Sequence, residues 1–118
     1  MGIDFPSLEH AYQASKTLNR KDQKWIASLE LAKEAKRAGR KVKMRSDWEQ
    51  IKIPTMRALL RIKFSDNADL REALLMTHPA YLEETNYWGD TFWGVCNGEG
   101  ENHLGKLLME VRDEIKGN

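Results

Sequence analysis

Sixteen residues, Asn86 to Glu101, constrain the fold of this chain more than any other stretch. They hold Trp88, Phe92 and Trp93 among Gly89, Gly94, Gly98 and Gly100. Each glycine in a helix interior costs about 1 kcal/mol relative to alanine, so a regular helix is excluded here. Almost everywhere else apolar residues recur at three- and four-residue spacing, the signature of helices with one buried face. The expectation is a mainly α, multihelical single domain over residues 1–118, with this Gly/aromatic loop held between the later helices. A chain of 118 residues can bury one core without a metal or disulfide staple.

Pro6-Ser7 predicts a turn and N-cap for a first helix from Leu8 to Leu18. Asp22 is expected to cap a second, in which Trp25, Ile26, Leu29 and Ala32 share a face and Gly39 is the stop. The stretch Arg40–Arg45 reads as irregular at first. Asp47 caps a short helix through Trp48 and Ile51, and Pro54 suits the first turn of a new one better than the middle of a continuous helix. Met56, Leu59, Leu60 and Phe64 follow as an apolar stripe. Asn67-Ala68-Asp69 opens a helix through Leu70, Leu74 and Leu75 that ends before Pro79. Tyr81 to Thr85 reads as a short extended segment. Asn102 caps a last helix with Leu104, Leu107, Leu108, Val111 and Ile115 on one face. Met56, Met76 and Met109 read as core filler.

Composition removes several classes of function. The single Cys96 excludes an intramolecular disulfide framework and favours a reducing compartment. No apolar run approaches the ~20 residues of a membrane span, and the first residues have neither a basic nor an apolar signal region. The expected setting is cytoplasmic, with no membrane partner. His10, His78, His103 and Cys96 lack metal-ligand spacing, so no metal is expected. No phosphate-binding loop or dinucleotide fingerprint is present, and no cofactor is expected.

A net charge of +1 conceals a split. Residues 1–63 carry 15 Lys/Arg against 7 Asp/Glu, a balance of +8; residues 64–118 carry 4 against 11, a balance of −7. Seven basic residues and one acid, Glu34, lie between Lys33 and Arg45. Such asymmetry fits a partner bearing phosphate; mutual pairing of the two halves explains it equally well.

Two stretches could carry chemistry. On the first helix, Glu9, Gln13 and Lys16 fall within about 60° of one another, with Tyr12 beside them. A solvated face with ordinary charge pairing is the plain alternative. In the loop, Trp88 and Trp93 offer flat faces for a base or ribose, Gly94 allows close backbone approach, and Asp90 is a carboxylate in a partly apolar setting. The plain alternative is that the tryptophans plug a small core while Asp90 caps a turn. Asn102, opening a helix, offers free N–H groups to a phosphate, or is an ordinary cap.

Phe5-Pro6-Ser7-Leu8-Glu9-His10-Ala11-Tyr12-Gln13-Ala14-Ser15-Lys16 resembles the opening helix of the NADAR, or YbiA-like, N-glycosidase domain. The resemblance continues through Ala38-Gly39-Arg40, Arg45-Ser46-Asp47-Trp48, Met56-Arg57 and Lys63-Phe64. It closes with Asp90-Thr91-Phe92-Trp93-Gly94, the run Gly100 to Met109, and Val111-Arg112. The blocks keep the family's order and cover nearly the whole chain. One departure is that only eight residues precede Glu9, where the family carries a few tens, including a Phe-Ser-Asn-Phe-like segment. Against that pattern the domain reads as N-terminally short.

The resemblance implies a helical domain that hydrolyses the C1′–N bond of a phosphorylated ribosyl-base compound. Two substrates are in view: a ribosylamino-pyrimidine phosphate of riboflavin synthesis, or an ADP-ribosylated guanine carried in nucleic acid. By motif, catalysis falls to Glu9 and Asp90, with Lys16 as a Schiff-base alternative. Tyr12, Gln13, Trp48, Trp93, Gly94 and Asn102 would bind substrate, and Arg40 and Arg45, with Lys43, its phosphate. Cleavage passes through an oxocarbenium-like cation, so one carboxylate would stabilise the charge while the other activates water or protonates the leaving nitrogen. Two other readings are a non-catalytic ADP-ribose or nucleotide-binding module and a small nucleic-acid-binding protein using Lys33–Arg45. Homo-oligomerisation stays open.

Overall fold

The computed structural model describes residues 2–117. In chain order its elements are α1 (Leu8–Ala14), α2 (Arg20–Ser28), α3 (Ala32–Ala38), α4 (Trp48–Asp66), α5 (Ala68–Met76), β1 (Thr85–Asn86), β2 (Val95–Cys96) and α6 (His103–Gly117). The mainly α expectation holds. Contacts group the residues into two compact units, Met1–Leu59 and Leu60–Asn118.

In the first unit, α1, α2 and α3 pack on one another around Ala14, Ile26, Ala35 and Ala38, with Phe5, Leu29 and Val42 against them. Three of the four central residues are alanine, which lets helices approach closely. Ser7 caps α1 by accepting the His10 N–H at 3.2 Å. The helix ends at Ala14, four residues before the expected Leu18. Ser15 Oγ donates to the Ala11 carbonyl at 2.7 Å, and the chain tightens through Lys16 N–H to Gln13 and Thr17 N–H to Ala14. Leu18 is exposed and does not continue an apolar stripe.

The single helix expected from Asp22 to Gly39 is two helices. Asn19, not Asp22, is the cap, its Oδ1 accepting the Asp22 N–H at 3.1 Å. Leu29 and Leu31 adopt extended backbone, ψ 141° and 144°, and break the helix. One tertiary and one local bond secure the break. His10 Nε2 donates to the Leu29 carbonyl at 2.9 Å, and Glu34 Oε1 accepts the Leu31 N–H at 2.9 Å. Gly39 does end α3, as expected.

Pro54 lies inside α4, which runs unbroken where two helices were expected. A proline here forfeits one backbone bond, to the carbonyl of residue 50. Gln50 and Pro54 are both exposed, so water can satisfy that carbonyl.

In the second unit α5 and α6 pack together. Asn67 caps α5 through Oδ1 to the Leu70 N–H at 3.0 Å, and the helix stops before Pro79, as the sequence predicts. Of the segment expected to be extended, only Thr85 is in a strand; β1 pairs in parallel with β2 in the register Thr85–Val95 and Asn86–Cys96. Arg112, 4% exposed, donates from Nη1 to Thr77 Oγ1 at 3.0 Å and to the Ala80 carbonyl at 2.8 Å, tying α6 to the chain after α5.

Candidate functional site

The first group of expected site residues sits on α1 and the chain packed against it. Glu9 Oε2 accepts Gln13 Nε2 at 3.2 Å, one helical turn on. Gln13 is 4% exposed, and its Oε1 has no hydrogen-bond partner. That oxygen lies over Gly39, where any Cβ would overlap it. A buried amide oxygen without a donor costs about 1–3 kcal/mol, and a donor on a ligand would relieve this cost. Gly39, read from sequence only as a helix stop, therefore also makes room for Gln13.

Lys16 lies in the turn that follows α1, its ammonium 5.7 Å from the centre of the Tyr12 ring. Burial holds its pKa below the usual lysine value; Glu9 opposes that shift, while Arg40, Lys36 and Lys52 reinforce it. The sequence singled out Arg40 but missed Lys36 and Lys52. Lys16 is thus within electrostatic reach of three further cations and one carboxylate, which makes this an anion-seeking region.

Two expected roles change in this unit, and a third residue proves structural. Trp48 is 4% exposed and meets Tyr12 edge-on at 5.3 Å, so the indole holds the tyrosine in place instead of offering a face to a base. Arg45 is forked onto Asp47 through Nε at 2.6 Å and Nη2 at 3.0 Å, and its N–H donates to the Lys16 carbonyl at 2.7 Å. Its guanidinium is therefore already engaged by a carboxylate. His10, half of the Glu-His pair, is structural. With Nε2 donating to Leu29, its Nδ1 accepts from the Ser7 hydroxyl at 2.6 Å.

The second group is the Gly/aromatic loop. Asp90 Oδ1 accepts the N–H groups of Phe92 at 3.1 Å and Trp93 at 2.9 Å, forming a turn. The loop has an organiser that the sequence reading missed. Asn86 Oδ1 accepts the Asp90 N–H at 3.0 Å, while its Nδ2 donates to the Asp90 carbonyl and to Glu84 Oε2, both at 2.9 Å. Its signal was visible in retrospect as an Asx residue four positions before another in a Gly-rich turn. Trp93 is partly buried, edge-on to Phe92 at 4.8 Å and to His103 at 6.5 Å.

Gly94 and Asn102 depart from the roles expected of them. Gly94 is buried, and a Cβ there would overlap the Glu84 backbone and the side chains of Glu84 and Asn86. Its missing side chain serves packing within the loop. Asn102, 2% exposed, spends its amide on the chain before β1: Oδ1 accepts the Glu84 N–H at 2.9 Å, and Nδ2 donates to Leu82 O at 2.9 Å and Tyr81 Oη at 3.1 Å. The N–H groups of Asn102, His103 and Leu104 donate to the carbonyls of Gly94, Phe92 and Trp93. The free donors expected for a phosphate at this helix start are thus taken.

The NADAR domain family model matches residues 1–116. The chain belongs to the NADAR family. It is 40% identical over 120 residues to the N-glycosidase YbiA of Escherichia coli, an alignment covering 97% of this chain and 72% of that protein. It is 42% identical over 116 residues to the N-glycosidase Npun_R5314 of Nostoc punctiforme, covering 93% and 74%. A riboflavin biosynthesis protein of Vibrio vulnificus is 38% identical over 118 residues, covering 98% of this chain but 32% of that one. The NMR structure of E. coli YbiA superposes with a TM-score of 0.88 at 40% identity, over 98% of this chain and 70% of that chain. The fold is therefore the YbiA fold. Among the described residues, no helix is long and apolar enough to cross a membrane.

Proposed function

We propose that this NADAR domain, read as one domain over 1–118, is an N-glycosyl hydrolase acting on the C1′–N bond of a phosphorylated ribosyl-base compound. The observation that carries the reading is the polar group on α1 and the turn that follows it. Glu9 is held by Gln13, Gln13 Oε1 is buried without a donor, and Lys16 has its pKa held down by burial. The N-glycosidase names of the relatives support the bond type. A relative named for riboflavin biosynthesis supports a ribosylamino-pyrimidine phosphate over an ADP-ribosylated guanine as the first substrate to try.

Glycosidic cleavage develops positive charge on the ribose, and a nearby carboxylate stabilises it. We assign that role to Glu9, with Gln13 fixing its rotamer and offering Oε1 to a substrate hydroxyl. Asp90 is assigned the activation of water or the protonation of the leaving nitrogen. Tyr12, held by Trp48, and Trp93 provide aromatic contacts. Arg40, with Lys36 and Lys52 as cations the sequence reading had not included, attracts the phosphate. Arg45 joins them only by exchanging Asp47 for phosphate. Gly94 and Asn102 keep the Asp90 loop in shape.

Lys16 supports a second route. A lysine of lowered pKa is more often the free amine, which can attack C1′ of the ring-opened sugar, expel the base nitrogen and leave an imine that water hydrolyses. Direct hydrolysis remains the first reading, because Lys16 also lies beside Glu9, which favours the ammonium.

The test is release of free base from a phosphoribosylamino-pyrimidine and from an ADP-ribosylated guanine oligonucleotide, followed by chromatography. Turnover by the wild type and a loss of about 100-fold or more in Glu9→Gln support the proposal. Tight binding of both compounds without release would make the chain a nucleotide-binding module instead.

A further inference from the structure

A groove on the first unit is lined by none of the candidate site residues above. It has a volume of about 160 Å³ and is lined by Trp25 and Leu29 on and just after α2, and by Glu34, Arg37, Ala38 and Lys41 on and after α3. Leu29 and Ala38 are the outer edge of the α1–α3 core. Trp25 is not part of that core. Sequence periodicity places it with Ile26 on the buried face, yet Ile26 is fully buried while the indole stays 41% exposed. Leaving that much tryptophan in water has an energetic cost, and a ligand would remove it.

Helix geometry divides the basic run 33–45 into two sets. Lys36 and Arg40 are the pair that reach Lys16 electrostatically. Lys33, Arg37 and Lys41 follow one another at four-residue spacing, roughly 100° around from that pair. The turn that follows α3 keeps Lys41 near this register, with Gly39 in helical backbone and the Lys41 N–H donating to Ala38 O at 2.9 Å. All three are exposed, and among the described residues none of them makes an ion pair or hydrogen bond through its side chain. The one carboxylate lining the groove, Glu34, is turned to the Leu31 N–H.

An exposed indole beside a stripe of unpaired cations has the two elements that bind a nucleic-acid strand without sequence preference: a face for stacking a base and charges that follow the phosphates. We propose that the Trp25 groove docks single-stranded nucleic acid, one base stacking on Trp25 and successive phosphates lying along Lys33, Arg37 and Lys41. The groove holds one ring, so affinity comes from the run of phosphates, and a free nucleotide binds far more weakly. Neither Glu9 nor Asp90 lines the groove.

Fluorescence anisotropy of a labelled oligo-dT decamer on the full chain tests this. Binding is expected at 50 mM salt with a log–log salt slope near −2, from about −0.7 for each of three phosphate contacts on a single strand. Trp25→Ala is expected to weaken it by about 5- to 100-fold, and Arg37→Glu combined with Lys41→Glu to abolish it. Circular dichroism and base release from the small-molecule substrate report whether each variant is folded, and Trp25→Ala is expected to leave both unchanged. Three results would each overturn the proposal: no binding of the decamer, equal binding of a duplex that Trp25→Ala does not affect, or equal affinity for AMP. Loss of strand binding in Glu9→Gln would place the strand elsewhere and overturn it too.

Discussion

Asn86 grips the Asp90 peptide from both ends, its Oδ1 on the Asp90 N–H at 3.0 Å and its Nδ2 on the Asp90 carbonyl at 2.9 Å. Asp90 in turn fixes Phe92 and Trp93 through Oδ1. The carboxylate assigned to catalysis thus sits in a loop whose geometry depends on one 6%-exposed amide. Asn86→Ala leaves the Asp90 peptide and Glu84 without these partners, at a cost of about 1–3 kcal/mol per stranded group. Urea unfolding is expected to show that loss. Because the substituted residue acts through Asp90, kcat should fall more than KM rises. Asn86→Asp should be worse, since a second carboxylate then faces Glu84 and has no proton to donate.

Gly39 bears on Gln13 as Asn86 bears on Asp90. A Cβ at position 39 would overlap the Gln13 amide, and both residues are buried. Gly39→Ala is expected to push Gln13 off Glu9 and to destabilise the protein by about 1–3 kcal/mol, as overpacking does. Restoring space from the other side checks the cause. Gln13→Ala combined with Gly39→Ala should recover stability but not turnover. A double variant as unstable as Gly39→Ala alone would show that the clash lies elsewhere.

These dependencies explain what the sequence reveals and what it conceals. Helix α5 was legible because its cap is local, Asn67 to the Leu70 N–H, and α6 because the apolar spacing of Leu104 to Ile115 is regular. The division between α2 and α3 was not, because it is stabilised by His10 reaching a carbonyl nineteen residues away. Pro54 misled for the opposite reason, since one lost bond on a water-facing surface does not end a nineteen-residue helix. At the site, the Glu9–Gln13 pair could be read directly off helical periodicity. Trp48 and Asn102, expected to bind substrate, were not legible in this way, because whether an indole or an amide faces a ligand or its own protein depends on partners distant in sequence. Asn86 was legible in type but not in use.

His10 yields a stability prediction distinct from catalysis. It is 1% exposed and bonded to Ser7 and Leu29. His10→Ala leaves a cavity and strands the Leu29 carbonyl, with an expected loss of about 2–4 kcal/mol from the two effects together. Thermal unfolding should show it. Residual activity measured well below the new Tm should be largely retained, since His10 touches no proposed substrate group. A complete loss of turnover in folded His10→Ala would mean that the break after α2 positions Glu9 more tightly than the bonds of His10 imply.

Lys16 links stability to pH with a definite sign. Burial, reinforced by Arg40, Lys36 and Lys52, lowers its pKa in the folded protein from about 10.5, and Glu9 only partly offsets this. The folded state then binds fewer protons than the unfolded state between the lowered value and the unfolded one, so this group's contribution to stability rises with pH across that window. Below it, the folded protein bears the cost of a partly desolvated ammonium. Lys16→Met removes that cost while keeping the aliphatic length. Its Tm should exceed that of the wild type at pH 7, and the gap should close as pH approaches 10. Base release by the same variant separates the two chemical routes. If water attacks directly, Lys16→Met keeps measurable turnover and borohydride traps no adduct on the wild type. If Lys16 is the nucleophile, turnover vanishes and reduction under turnover leaves the sugar on Lys16.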